Sequence, residues 1–370
     1  MSTAGRPSDS AANDLSSALR EAGFVRLAAA PDADSVAAAG ILAHALSGRG
    51  VPYQTSVTPL AEPTERATDA DLTVGIGRQT GDLSIGIDDS AARTAHSVAG
   101  EFSDLALALA GAVAADGHPG DELATEAGEA GIERRPGVAV PTPDLVDGLT
   151  HSTLAFAPVS GDSEAVEALL ADTGVDSETT ADAGRTVASA VALSVAGDPD
   201  GTASGAEHVE RLLRPLAGGP FRTIGGYADV LTAVARERPG LAVVLALGEL
   251  DAGRALEIWR EHGRRTHRGL REARTGRYDG LFVLRCEPET PVRTAAELAL
   301  AYRSPEPVVL AVADGVAAAA GAADSGADLG DAIRETAREF GANGGGIPGQ
   351  GRASFDAEST EFVAAFKERL

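Results

Sequence analysis

A chain of 370 residues, 44% of them hydrophobic, is long and apolar enough for two ordinary domains, since single cores rarely grow past about 250 to 300 residues, and this excludes a disordered or fibrous protein. The longest apolar stretches, 105–115 and 241–247, fall short of the roughly 18 residues of a membrane span, and one cysteine, Cys286, allows neither an intramolecular disulfide nor a thiolate zinc site. A net charge of −24 argues against a polyanionic partner, yet only Lys367 among 31 basic residues is a lysine, a usage that points to a cytoplasm of very high salt.

At molar salt the Debye length is about 3 Å, so the acidity describes the solvent more than the partner. Nucleic-acid binding there needs close contacts from arginines and backbone amides.

In chain order, residues 1–16 are rich in Ser, Ala, Asp and Asn, lack the pattern of a secretory signal, and are expected as a disordered cytosolic tail. An apolar strand at 24–30 leads through Pro31-Asp32-Ala33-Asp34-Ser35 into an alanine-rich helix at 36–46. Strands follow at 72–76 and 83–87, separated by the turn-rich 77–82, then a helix at 103–115. Strands alternating with helices at this spacing predict a doubly wound, mainly parallel sheet in a first domain, 17–150.

Between 151 and 250 the pattern turns helical, with candidates at 163–170, 180–195, 207–216 and 227–236, and reads as a connecting layer. A basic helix at 253–274 opens a smaller C-terminal α/β domain, 251–370, with strands at 278–286 and 308–313 and helices at 294–302, 329–340 and 360–368.

Four constellations carry chemistry. Asp32 and Asp34, two residues apart where a strand hands over to a helix, suit a divalent cation or a helix N-cap. Asp88-Asp89-Ser90 stands at a second strand end, ahead of a helix carrying His96, and reads as a cation pair or as solvated surface charge. Asp116, in Asp116-Gly117-His118, offers another carboxylate.

The run 341–351 contains Gly344, Gly345 and Gly346, whose amides could approach a phosphate; a surface hairpin is the alternative. Lastly, Arg254, Arg260, Arg264, Arg265, Arg268, Arg271, Arg274 and Arg277, with His262 and His267 interleaved, put several guanidinium groups on one helical face, available to phosphates or to the plentiful carboxylates. Gly75 to Gly81 misses the dinucleotide fingerprint, and there is no Walker loop, HExxH or GxSxG.

The segments Asp32-Ala33-Asp34-Ser35, Ile85-Gly86-Ile87-Asp88-Asp89 and Ile224-Gly225-Gly226-Tyr227-Ala228-Asp229-Val230-Leu231, in this order, resemble the archaeal RecJ-like branch of the DHH phosphoesterases, which includes the GINS-associated nuclease and the RecJ-like replication factor. The resemblance runs from about Phe24 over most of the chain, with the last two constellations in the DHH-associated domain. It implies a site for two manganese or magnesium ions, with Asp32, Asp34 and Asp88 as catalytic remnants and Asp32, Asp34, Asp88, Asp89 and Asp116 as metal ligands.

The family's ligand set is incomplete here. Ala30 stands where relatives have histidine, Ser35 where they have glycine, and Gly75 at the central acidic position; the DHH triplet reads Asp88-Asp89-Ser90, and no histidine follows Gly345-Gly346. A two-ion centre that loses such ligands loses its geometry, and an error near 1 Å can cost about 100-fold in rate. The expectation is a catalytically impaired member that binds single-stranded DNA or RNA through Arg260, Arg264, Arg265, Arg268, Arg271 and Gly344–Gly346, or a replication-repair partner such as the replicative helicase or a GINS-type protein. The rival expectation is an active metal-dependent single-strand exonuclease or oligonucleotide phosphodiesterase built on the five carboxylates, and a third is a pure protein adaptor.

Overall fold

The computed structural model describes residues 7–58, 69–175 and 180–370, which fall into two compact units. The first takes the described residues up to 134 together with Leu216–Trp259; the second takes Arg135–Pro215 and Arg260–Leu370. The helical stretch 151–250 is therefore shared between the two units.

In the first unit helix α1 (Pro7–Glu21) precedes strand β1 (Val25–Ala29), so the expected tail is helical from Pro7, and residues 1–6 lie outside the described residues. Leu15 and Leu19, four apart on α1, are buried in the core, which is why this polar-looking segment holds a helix. Next come α2 (Ala33–Gly48), β2 (Tyr53–Val57), β3 (Leu72–Ile76) and β4 (Leu83–Ile85). These strands form one parallel sheet in the order β2-β1-β3-β4, with Ala28 opposite both Ser56 and Gly75. Helix α2 lies on β1, β2 and β3 and is buried almost all round, as its run Val36-Ala37-Ala38-Ala39-Gly40-Ile41-Leu42-Ala43 requires. Helices α3 (Ala91–Ala99), α4 (Leu105–Asp116) and α5 (Asp121–Glu129) follow.

In the second unit are α6 (Leu145–His151), α7 (Ser163–Thr173), α8 (Ala181–Ala196) and α9 (Ala203–His208). The first unit then adds α10 (Ile224–Glu237) and α11 (Pro239–Ala246). Helix α12 (Ala252–Glu272) contributes residues to both units. The expected helix at 207–216 is replaced by α9 and a turn, because Leu212 and Leu216 face different cores.

The C-terminal sheet is built from β5 (Arg274–Tyr278), β6 (Leu281–Arg285), α13 (Val292–Tyr302), β7 (Val308–Ala313), β8 (Val316–Gly321), α14 (Leu329–Glu339), β9 (Asn343–Ile347), β10 (Gln350–Ser354) and α15 (Ser359–Lys367). Its order is β5-β6-β7-β8-β10-β9, antiparallel except for the β6–β7 pair. Alternate residues of β7 serve two cores: Val309, Ala311 and Ala313 face α13, while Val308, Leu310 and Val312 share a cluster with Leu329, Ile333 and Phe362. The strand expected at 278–286 is a hairpin, turned at Asp279-Gly280, where Gly280 takes a φ of 74°.

Candidate functional site at the strand ends and the arginine helix

Asp32 and Asp34 both sit where β1 gives way to α2, and both act as caps. The Asp32 carboxylate accepts from the Ser35 amide at 2.9 Å, closing the first turn of its own helix. Asp34 points instead to α3: its Oδ1 accepts from the Ser90 hydroxyl at 2.7 Å and the Ala92 amide at 2.9 Å, and its Oδ2 from the Ala91 amide at 2.7 Å. Ser90 in turn caps α3 by accepting from the Arg93 amide. Burial pushes the Asp34 carboxyl up to about 6, with the nearby Asp32 charge adding to the rise and the bonds from Ser90, Ala91 and Ala92 opposing it.

Asp88 and Asp89 are exposed in the bend that follows β4, so of the DHH-like triplet only Ser90 turns inward. Asp116, at the end of α4, pairs with Arg93 at 2.6 Å. His118 accepts from the amide of Gly120 within its own turn. Among the described residues, no group of three or more His, Cys, Asp or Glu side chains is arranged to hold a metal ion.

Position 75 has room for hydrogen only. A Cβ there would stand 2.2 Å from the Thr80 carbonyl oxygen and 2.6 Å from that of Arg78, because the turn 77–81 folds back over β3. Atoms do not approach so closely, and the obstacles are backbone, so a carboxylate at this point requires a different course of the turn.

The glycine run 344–346 forms the edge strand β9, paired with β10 through the turn Pro348-Gly349. Helix α14 lies directly on this hairpin: a Cβ at Gly344 would meet that of Ala337 at 2.7 Å, and one at Gly351 would meet Ile333 Cγ2 at 2.6 Å and the Leu329 carbonyl at 2.7 Å. Gly344 and Gly351 are thus accounted for by helix-on-strand packing, whereas a Cβ at Gly346 would meet the Gln350 carbonyl oxygen of the partner strand.

On α12, Arg260 grips Asp147 with a two-pronged pair of hydrogen bonds, Nε to Oδ1 at 2.8 Å and a terminal nitrogen to Oδ2 at 2.9 Å. Burial works upward on Asp147, but the bonds and charge of Arg260, with His151, outweigh it and hold this carboxyl below the usual range. Arg264 pairs with Glu261, Arg254 with Glu257, Arg277 with Glu306, and Arg271 donates to the Ser160 carbonyl. Arg265 is half-buried and Arg268 is exposed.

The interleaved histidines face inward. His262 bonds Thr294 Oγ1 at 2.9 Å, and His267 donates from Nε2 to the Ser152 carbonyl at 2.9 Å, its burial pushing the imidazole down to about 3 and keeping it neutral. Asp229, within the third quoted segment, is buried and accepts from the Trp259 indole at 2.8 Å, a contact between α10 and α12 that no local pattern announces.

The fold is that of the RecJ-like DHH proteins. The chain superposes on CDC45 from Entamoeba histolytica with a TM-score of 0.59 at 10% identity, covering 98% of each chain, and on a manganese-bound exonuclease RecJ with a TM-score of 0.51 at 16% identity, covering 98% of this chain and 93% of that one. A sequence relative, the uncharacterised protein rrnAC1427 of the halophilic archaeon Haloarcula marismortui, is 46% identical over the whole of both chains, and the family model for its C-terminal domain matches residues 273–368. This chain belongs to the rrnAC1427 family. Among the described residues no helix is long and apolar enough to cross a membrane.

Proposed function

We propose that this chain is a protein of the RecJ-like fold that does not cleave phosphodiesters and that holds single-stranded nucleic acid within a replication or repair assembly. The observation that carries the first half is the state of Asp34, whose two oxygens accept three hydrogen bonds from the start of α3. These bonds occupy three of the roughly four acceptor positions of the carboxylate, so a cation that took both oxygens would have to displace some of them. With no space for a side chain at position 75 and with Asp116 paired to Arg93, the residues present do not fit the paired manganese or magnesium centre of active relatives, and no hydrolytic step is assigned to them.

For the second half, the support is charge. Residues 264–277 hold six arginines and one glutamate in a chain of net charge −24. Exposed pairs such as Arg264–Glu261 are worth about 0 to 1 kcal/mol, so a phosphate can compete for those guanidinium groups, and Arg268 stands beside them on the same face. Arg260 has a deeper role in holding Asp147, and Gly344 and Gly346 are closely packed, so the contact is assigned to Arg264, Arg268 and Arg271, with Arg265 at its margin.

Fluorescence anisotropy of a labelled single strand in molar KCl tests this. Binding that falls at least about 10-fold in an Arg264→Glu, Arg268→Glu variant supports it; absent binding, or affinity untouched by the double change, removes the nucleic-acid half. Manganese-dependent release of mononucleotides, lost in Asp32→Ala and Asp88→Ala, would restore the exonuclease reading. The internal pairing of Arg254, Arg260 and Arg277 favours a second reading, a protein adaptor, whose sign is co-purification of a helicase or GINS-type component without nucleic acid.

A further inference from the structure

His96, on α3, is held between two side chains from other elements. Its Nδ1 lies 2.7 Å from Ser103 Oγ, in the turn before α4, and its Nε2 lies 2.8 Å from Glu126 Oε2 on α5. A carboxylate only accepts, so in the neutral ring Nε2 carries the proton and Nδ1 accepts from the serine hydroxyl. That is a hydroxyl, a base and an orienting carboxylate connected in series, the arrangement that converts a serine into a nucleophile. The group lies wholly in the first unit.

The start of α4 follows directly on the hydroxyl. Ser103 immediately precedes Asp104, the N-cap of the 12-residue α4. Asp104 takes the Leu107 amide with its side chain and the Ala108 amide with its carbonyl, which leaves the amides of Leu105 and Ala106 as the open donors of the helix start. Such donors can receive the oxygen on which charge develops during acyl transfer. Phe102, the residue before Ser103, is 37% exposed and leaves part of an apolar ring open to solvent, while exposed Glu101 and Asp104 disfavour anionic substrates.

We propose that Ser103, His96 and Glu126 form an acyl-transfer site for small uncharged esters. Ser103 Oγ bonds to the acyl carbon as the ester's carbon–oxygen bond breaks; His96 takes the serine proton and passes it to the departing alkoxide. Water then attacks the acyl-serine, giving one proton to His96, which returns it to Oγ as the carboxylic acid leaves. Glu126 acts as a positioning residue through the ring.

The full-length protein in molar KCl is treated with a fluorophosphonate probe and, separately, with p-nitrophenyl acetate. Labelling that maps by peptide mass to Ser103, with hydrolysis at least about 10-fold faster than in folded Ser103→Ala and His96→Gln variants, is the expected result. Glu126→Gln should slow labelling while the circular dichroism stays as in the parent. No labelled serine, label at another residue, or equal hydrolysis in parent and Ser103→Ala overturns the proposal. Since a misfolded variant would also lose activity, the unaltered protein's failure to take the probe is by itself decisive.

Discussion

At Asp34, three donors meet one carboxylate whose pKa burial has lifted to about 6. The unfolded chain releases this proton near 3.8, whereas the folded chain holds it to about 6. The stability lent by the protonated group is therefore complete below pH 3.8 and lost as the pH rises through 6, by about 3 kcal/mol for a shift of this size. Asp34→Asn removes the titration, so its stability relative to the parent should improve by about 3 kcal/mol between pH 3 and 8, as read from denaturant unfolding in molar KCl. Parallel pH profiles for the two proteins would refute this. The capping role of Asp32 was legible in the sequence because its partner lies three residues away. That of Asp34 was not, since its partners stand 56 to 58 residues along the chain and only the closed sheet brings them close.

Elements built from residues of strong preference were read to within a few positions. Helices α2, α4, α10, α12, α13 and α14 and strands β1, β3 and β7 lie where apolar spacing put them. Strands β8, β9 and β10 escaped because Val316-Ala317-Ala318-Ala319-Ala320-Gly321 and Asn343-Gly344-Gly345-Gly346-Ile347 have little intrinsic β preference and become strands through the neighbours they pair with. Small side chains there admit α14 to backbone distance. Gly344→Val, which raises strand preference, should nonetheless lower stability by about 1 to 3 kcal/mol through its clash with Ala337 and the Ile333 carbonyl, measured by thermal unfolding. A variant as stable as the parent would mean that the helix can move away without cost.

At the scale of the whole molecule, the alternation of strands and helices after Phe24 foretold a parallel sheet with α2 laid on it, and the C-terminal sheet was foreseen as a separate α/β region. The sharing of residues 151–250 between two units was not foreseeable from periodicity, which gives helices but not the core each one joins. The net charge of −24 does act on the molecule as a whole. Raising KCl from about 0.1 M to above 1 M shortens the Debye length from about 10 Å to below 3 Å and screens the repulsion among carboxylates, so the unfolding midpoint should climb over that range. A midpoint indifferent to salt would show that the acidic surface carries no such strain.

The turn folded over β3 bears on how this protein can change through time. Because main-chain oxygens stand nearest position 75, a codon replacement that placed an acidic group there would require the neighbouring loop to be redrawn in the same event. Paths that need two simultaneous changes are seldom taken, so this corner of the sheet can drift in other directions far more readily than it can gain a carboxylate at that point.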